Sequence, residues 1–384
     1  SECSEQETGL SGKQMGEIFD YVDELGPTKT IHVHEPTHGL KGILVVDNVA
    51  AGPAIGGLRM ASDVSTQECA RLARAMTLKN AAAGLPHGGA KTVLFGDPKM
   101  PRDEKERLIR EFACAVAGEE TYIFGPDMGT DEMCMAWVKD EIGRAVGLPR
   151  EIGGIPLDEI GATGWGLSHV VDVALDYCDF DIVGARVVVQ GYGAVGRHAA
   201  HFLADKGAVV VGVADSRGTV HDASGLDLGD LDELKAEGRS VMEYANGHKL
   251  KVSDVVGIPC DIWIPAARPD VIHKDNVSRL DTRLVVEGAN IPVTPAAERA
   301  LYEQGVVVIP DFIANAGGVI CAAMEYRGTG QAAAFQVIKE KLRQNTTEVL
   351  AASAATATPP REAAVAMATE RVRRAMQTRR WSLF

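Results

Sequence analysis

Lys79 and Lys91 bracket the segment Lys79-Asn-Ala-Ala-Ala-Gly84-Leu-Pro-His87-Gly-Gly89-Ala-Lys91, and both stand where a cation is poorly solvated. Ser65 followed three residues later by Glu68 has the form of a capping box, and Gly84 with Pro86 marks a stop, so the stretch between reads as a helix. Leu72, Met76 and Ala83 fall on one apolar stripe of that helix, and Lys79 lies on the same stripe. Lys91 sits in Ala-Lys-Thr-Val-Leu-Phe, which reads as a buried strand. Burial pushes a lysine toward its neutral form. Such a residue either snorkels its amine to water or uses it on an anion or as a base. Asp127, in Gly-Pro-Asp127-Met-Gly-Thr, reads alone as a turn former. Beside Lys91 it becomes half of a proton-transfer pair. His87, in the turn between the lysines, is either a base or a residue that packs the turn.

Positioning these groups takes two kinds of element pattern. Strand-like runs at 30–34 and 42–49 are followed by a loop of small residues from Ala50 to Gly57, the lysine helix, and a helix over 102–117. Residues 1–25 read as a polar lead and a short helix, and 153–161 as a loop between halves. The second half alternates strand and helix, with strands predicted at 186–190, 208–214, 261–264, 284–287 and 306–309. Two helices, about 331–352 and 361–378, close the chain.

The run Val187-Val-Val-Gln-Gly191-Tyr-Gly193-Ala194-Val195-Gly196 is a strand entering Gly-x-Gly-x-x-Gly and then a helix to about Lys206. The glycines let backbone approach a pyrophosphate at the helix N-terminus. Asp215 ends the next strand, where a carboxylate can bond a ribose hydroxyl and repel a 2′-phosphate. That favours NAD, with NADP left open because Ser216 and Arg217 can accommodate a phosphate. The other strand ends carry Pro265-Ala266-Ala267, Glu287-Gly-Ala-Asn290 and Asn315-Ala-Gly-Gly318. Small loops there let a flat ring lie against backbone, and Asn290 or Asn315 can bond its carboxamide. The alternative for each is an ordinary turn or helix cap.

At 384 residues the chain calls for two domains. A net charge of −14 argues against nucleic acid or anionic membrane as partners. Seven scattered cysteines without a Cys-x-x-Cys pair point to a reducing compartment and no zinc site, so no metal is expected. No apolar run reaches transmembrane length, and Glu2, Glu5 and Glu7 do not suit a signal peptide, so the expected location is cytoplasmic.

In order, Gly56-Gly57-Leu-Arg59, Lys79-Asn, Leu85-Pro-x-Gly88-Gly89-Ala-Lys91, Pro126-Asp127-Met-Gly129-Thr130, Ala162-Thr163-Gly164-x-Gly166 and the three glycine- and asparagine-rich motifs above resemble the Glu/Leu/Phe/Val amino-acid dehydrogenases. The resemblance implies an α/β protein with an α/β substrate and oligomerisation domain and a Rossmann-type domain, separated by a cleft. The expected boundaries are 1–158, completed by helices in 328–384, and 159–327. It implies reversible NAD(P)-dependent oxidative deamination of an L-amino acid to the 2-oxo acid and ammonium, in a homo-oligomer of six or eight subunits. Lys79 matches the lysine that binds the substrate carboxylate, Lys91 the catalytic lysine, Asp127 the catalytic aspartate, and Thr163 a residue contacting the nicotinamide amide. Gly56 and Gly57 match substrate-lining positions, and the cofactor set is Thr163, Gly191, Gly193, Ala194, Val195, Gly196, Asp215, Ala266, Ala267, Asn290 and Asn315.

Where glutamate-type members carry a lysine and a serine for the side-chain carboxylate, this chain has Ile55 and Ala322. A carboxylate facing those residues would be desolvated without compensation, so an apolar substrate side chain is expected. Ala162-Thr-Gly-Trp-Gly and Gly153-Gly154-Ile-Pro lie closer to the glutamate-type pattern, and Ala194 replaces an Asn common in that branch. The alternatives are a glutamate dehydrogenase with atypical side-chain contacts, and a non-catalytic NAD-binding regulator, for which Lys79, Lys91 and Asp127 together would be superfluous.

Overall fold

A computed structural model describes residues 21–378. The first α/β unit holds β1 (Lys29–Glu35), β2 (Leu40–Asn48), β3 (Ala54–Ala61), α1 (Thr66–Ala82), β4 (Gly89–Phe95), α2 (Arg102–Ala115), β5 (Tyr122–Pro126) and α3 (Glu132–Ile142). Its five strands lie in the order β1-β2-β4-β3-β5. The β1/β2 and β2/β4 pairs are antiparallel, and β3 runs parallel to both β4 and β5. Helix α1 covers one face through Cys69, Ala70 and Ala73 against Ile43, Val45 and Val93. Helices α2 and α3 cover the other, where Ile109, Phe112 and Met135 meet Leu44, Leu58 and Met60.

The expected loop at 50–57 is instead half strand. β3 takes Gly56 and Gly57 into the sheet where neighbours leave no room for side chains: a Cβ on Gly56 would lie 1.8 Å from the Ala90 carbonyl oxygen, and one on Gly57 would meet the Asp127 and Lys91 side chains. On α1, the deepest face is Cys69, Ala73, Thr77 and Asn80, while Leu72, Met76 and Lys79 are only half-buried. The expected capping box is half made. Ser65 Oγ accepts from the Glu68 amide at 3.1 Å, but the Glu68 carboxylate pairs with Arg59 at 2.8 Å. The short helix expected before residue 25 lies largely outside the described residues, and 21–25 form no helix.

The second unit holds α4 (Ala162–Ala174), β6 (Arg186–Gln190), α5 (Ala194–Ala204), β7 (Val209–Ala214), β8 (Thr219–His221), α6 (Leu228–Ala236), β9 (His248–Leu250), β10 (Ile262–Pro265), β11 (Leu284–Val286), α7 (Pro295–Glu303), β12 (Val307–Ile309), α8 (Asp311–Ala314) and α9 (Gly317–Tyr326). The strand order is β12-β11-β10-β6-β7-β8-β9, parallel from β12 through β7 and antiparallel beyond. All five strands expected from the βαβ rhythm are present. The short β8 and β9 were hidden because three residues carry no readable period.

The terminal helices α10 (Gln331–Thr356) and α11 (Pro360–Thr378) tie the units together. Arg371 of α11 donates to the Ala81 and Ala82 carbonyls at 3.1 and 2.9 Å, and Lys341 of α10 donates to Gly84 at 2.7 Å. These cations satisfy the exposed carbonyls at the C-terminal end of α1, where the helix dipole is negative. Glu325, at the end of α9, accepts from Leu148 and Ile155 amides at 3.1 and 2.8 Å and so fastens the connection between the units. One apolar cluster runs through both, from Ile55 and Leu85 to Val187, Val189 and Leu342.

Candidate active site

Lys91 and Asp127 form an ion pair, with the lysine buried and the aspartate partly exposed. They come from β4 and from the turn after β5, on either side of β3. Gly57 lies between them: a Cβ there would sit 2.8 Å from Asp127 Cβ and 3.0 Å from Lys91 Nζ. Burial alone would raise the Asp127 pKa, but the Lys91 ammonium, together with the Met128 amide and Arg59, lowers it below the ordinary carboxylate value. Arg59 Nε stands 3.2 Å from its Oδ2. Thr130 pins the turn, its hydroxyl donating to Leu58 at 2.7 Å and accepting from the Asp127 amide at 3.0 Å. Asp127 is therefore both turn residue and charge partner.

Lys79 sits in the last turn of α1. It has no ion-pair or hydrogen-bond partner among the described residues, and burial pushes its pKa below the ordinary lysine value; Asp311 opposes that shift and Lys91 adds to it. The expectation that both lysines would be driven toward neutrality is thus met by Lys79, whereas Lys91 is held in a pair. An unpartnered ammonium beside the Lys91–Asp127 pair is suited to an anionic ligand group. Asn80 holds the intervening turn in place, its amide donating to Gly88 at 2.7 Å and Ile55 at 3.2 Å. His87 packs the turn: its Nδ1 lies 2.9 Å from the Pro53 carbonyl, its ring stands edge-on to Tyr326, and burial lowers its pKa. Ile55 belongs to the apolar cluster shared by the two units, and Ala322 packs against that cluster.

The cofactor-side residues gather at the carboxyl ends of β6, β10, β11 and β12. Gly191 adopts a φ of +102°, and a Cβ on it would strike Ala267 at 2.7 Å. A Cβ on Gly196 would lie 1.9 Å from the Gly191 carbonyl oxygen, whereas one on Gly193 would meet nothing within 4 Å. That open space before the N-terminus of α5 is the cradle a dinucleotide pyrophosphate needs, so the residues present fit the cofactor. Ala194 opens α5, and Val195 faces Gly288. A cavity of about 770 Å³, lined by Gln190, Lys251, Arg268, His273 and Arg279 among others, opens beside the end of β6.

Thr163 begins α4 against Gly317 and Gly318. Asn315 donates to the Gly288 and Ala289 carbonyls and, at 3.0 Å, to Asn290 Oδ1, while its own Oδ1 is buried without a partner. The structure thus brings Asn290 and Asn315 together, sets Thr163 against the glycines that follow Asn315, and leaves a buried acceptor unused. Asp215 is less free than its position at a strand end suggests. Its oxygens accept from the Arg217 and Val241 amides at 2.9 and 3.0 Å, Ser240 Oγ at 3.0 Å and Lys235 Nζ at 3.1 Å.

Arg59 was quoted in the sequence motifs without a role, and Gly57 only as a substrate-lining position. Arg59 tethers Asp127, and Gly57 makes room for the pair; their signal was only their place in Gly-Gly-Leu-Arg. Among the described residues no helix is long and apolar enough to cross a membrane, and the six described cysteines are free; Cys3 lies outside the described residues.

Residues 27–144 match the family model described as Glu/Leu/Phe/Val dehydrogenase, dimerisation domain, and residues 153–380 the one described as Glutamate/Leucine/Phenylalanine/Valine dehydrogenase. The chain is 37% identical to a glutamate dehydrogenase of Aeropyrum pernix, over 87% of this chain and 85% of that protein. It is 38% identical to an NADP(+)-dependent glutamate dehydrogenase of Pyrobaculum calidifontis, over 89% and 87%. Among solved structures it is similar to the hetero-hexameric glutamate dehydrogenase of Thermus thermophilus in a Leu-bound form, with a TM-score of 0.78 and 30% identity, covering 91% of this chain and 88% of that one.

Proposed function

The chain belongs to the Glu/Leu/Phe/Val dehydrogenase family of NAD(P)-dependent enzymes acting on the CH–NH2 group of amino acids, and from that premise we propose that it catalyses the reversible oxidative deamination of L-glutamate to the 2-oxo acid and ammonium. The observation that carries the chemistry is the Lys91–Asp127 pair beside the unpartnered Lys79. The choice of glutamate is supported by the names of the Aeropyrum and Pyrobaculum relatives, each matched over most of this chain.

In this reading Lys79 holds the substrate α-carboxylate. The nicotinamide, when bound, supplies the acceptor for the hydride that leaves Cα. Lys91, once it has passed its own proton to Asp127, draws a proton from the water that attacks the imino carbon, and Asp127 hands protons to the nitrogen that departs as ammonium. Their direct contact gives a proton a path between them, and Arg59 keeps the carboxylate in place. Gly191, Gly193 and Gly196 would carry the pyrophosphate, and Thr163, Asn290 and Asn315 the carboxamide.

A second reading, an apolar amino acid as substrate, is favoured by Ile55 and Ala322, which offer a side-chain carboxylate neither charge nor hydrogen bond. Turnover with NADH or NADPH, ammonium and a panel of 2-oxo acids tests both. Preference for 2-oxoglutarate supports the first, and preference for branched or aromatic 2-oxo acids the second. Absence of turnover on all of them would overturn both in favour of a regulator. The proposal extends to a cytoplasmic location, consistent with the free cysteines, and to a homo-oligomer of six or eight subunits built through the dimerisation domain. Native mass spectrometry of the purified chain distinguishes that from assembly with a second kind of subunit.

A further inference from the structure

Arg361, in the first turn of α11, meets three carboxylates at once. Its Nη2 lies 2.7 Å from Glu287 Oε2, its Nε 2.7 Å from Glu298 Oε2 and its Nη1 2.8 Å from Asp311 Oδ1. Glu287 is fully buried, and the other two carboxylates are nearly so. One guanidinium cannot neutralise three acids, and burial with Asp311 and Glu298 nearby pushes the Glu287 carboxyl up to about 8 despite Arg361. Near neutral pH Glu287 therefore keeps its proton, and burial pushes the Glu298 carboxyl upward as well, so the single guanidinium faces fewer than three negative charges.

The second oxygen of Asp311 does different work. Asp311 Oδ2 accepts the Ile291 amide at 2.8 Å. Ile291 has a φ of +44°, a conformation that a β-branched side chain adopts only under constraint, and its side chain projects into solvent with 54% exposure. Packing of the side chain does not explain that backbone; its two hydrogen bonds do, the amide given to Asp311 and the carbonyl, which accepts the Asp270 amide at 3.0 Å. The residues just before it, Gly288 and Ala289, donate to the Pro265 carbonyl at 2.9 and 2.8 Å, and Asn290 meets Asn315. The strained residue thus ends the loop that presents Asn290 to the cofactor side of the cleft.

We infer that Arg361 is a positioning residue for hydride transfer: by fixing Asp311 it holds Ile291 in its left-handed conformation, and so sets the 288–291 loop against the nicotinamide end of the cofactor. The inference rests on the dehydrogenase reading above. It makes the reaction geometry depend on the seating of α11, a helix remote in sequence that also caps the helix carrying Lys79. Small misplacements of a reacting ring have large kinetic cost, whereas a merely structural arginine would affect stability and leave the transfer step alone.

The test is a cycle of Arg361→Gln and Ile291→Gly, read as the hydride-transfer rate in a single turnover, with NADH formation followed by absorbance. Glycine takes the left-handed conformation without steric cost, so it removes the need for the clamp. Arg361→Gln is expected to slow transfer about tenfold or more, and Ile291→Gly to recover at least about threefold of that loss in the Arg361→Gln background while giving no such gain in the parent. A smaller loss, or a recovery that is absent or equal in both backgrounds, overturns the inference. If Arg361→Gln does not fold, Asp311→Ala takes its place in the same cycle, since it removes the acceptor for the Ile291 amide while Arg361 keeps Glu287 and Glu298. Parent turnover is measured first: a parent active on an amino acid with an unaltered Arg361→Gln rate sinks this inference alone, whereas an inactive parent sinks the function it rests on.

Discussion

Lys91 and Asp127 pair across a strand that belongs to neither of them. They flank β3, whose Leu58 registers with Thr92 on one side and Pro126 on the other, and the residue before Leu58 is Gly57. The pair exists because that position has no side chain.

Gly57→Ala should therefore act on chemistry more than on folding. Its Cβ would stand 2.8 Å from Asp127 Cβ and 3.0 Å from Lys91 Nζ, forcing the charged groups apart. A loss of kcat of roughly 100-fold is expected, with the Tm lowered by no more than a few degrees. Steady-state kinetics beside a thermal melt would check it, and near-normal kcat would remove Gly57 from the site.

Lys91→Ala should lower turnover by about 10³-fold while NADH binding, followed by its fluorescence, is retained. The lysine lies in the first unit, away from the glycine turn that opens α5. Equal losses in both measurements would mean that the variant had damaged the fold.

Lys79→Met should trade binding for stability. The folded-state pKa of Lys79 lies below the ordinary 10.5, so the unfolded chain binds the proton more readily. The buried charge costs stability fully below the folded pKa, and that cost fades as pH rises toward the ordinary lysine value. The variant should melt higher than the parent, by roughly 1–3 °C near neutral pH, with the gap closing under alkaline conditions. Its KM for the amino acid should rise by about 10- to 100-fold through loss of a charge-assisted contact. A gap that widens with pH would contradict the assignment of the lowered pKa.

Asp215→Ser should narrow a preference for NAD over NADP, read as the ratio of kcat/KM values. Because Asp215 also holds Lys235, Ser240 and the Val241 amide, the change should loosen that segment and raise KM for both cofactors. A parent that already prefers NADP would show that Lys235 or Arg217 outweighs the carboxylate.

Ile55→Lys with Ala322→Ser should raise kcat/KM for glutamate relative to leucine by about 10- to 100-fold, by adding a charge and a hydroxyl to an apolar wall. If the parent already strongly prefers glutamate, its carboxylate partner lies elsewhere in the cleft, and the double change should add little.

The fold was legible wherever a period was long enough to read. The five parallel strands of the second unit, the glycine turn and the lysine helix each announce themselves through local pattern, because 3.6-residue and two-residue periods are properties of the chain alone. The stretch around Gly56 and Gly57 was misread as loop for the same reason: glycines in sequence signal turns, and only the neighbouring Ala90 carbonyl and Asp127 side chain explain why a central strand needs them.

By itself, the sequence determined the chemical inventory. It shows two lysines in apolar settings, an aspartate in a tight turn and a dinucleotide motif, because residue type and spacing along one strand or helix are local facts. The tertiary structure decided which lysine is paired and which is left alone, since Lys91 meets Asp127 only through the register of three strands, while Lys79 projects from a helix held by Arg371 and Lys341 from the far end of the chain. It also decided that Asp215 is enclosed by donors and that Arg361 reaches Glu287, Glu298 and Asp311. Charge pairing falls steeply with distance and depends on burial, and neither quantity is written in residue order.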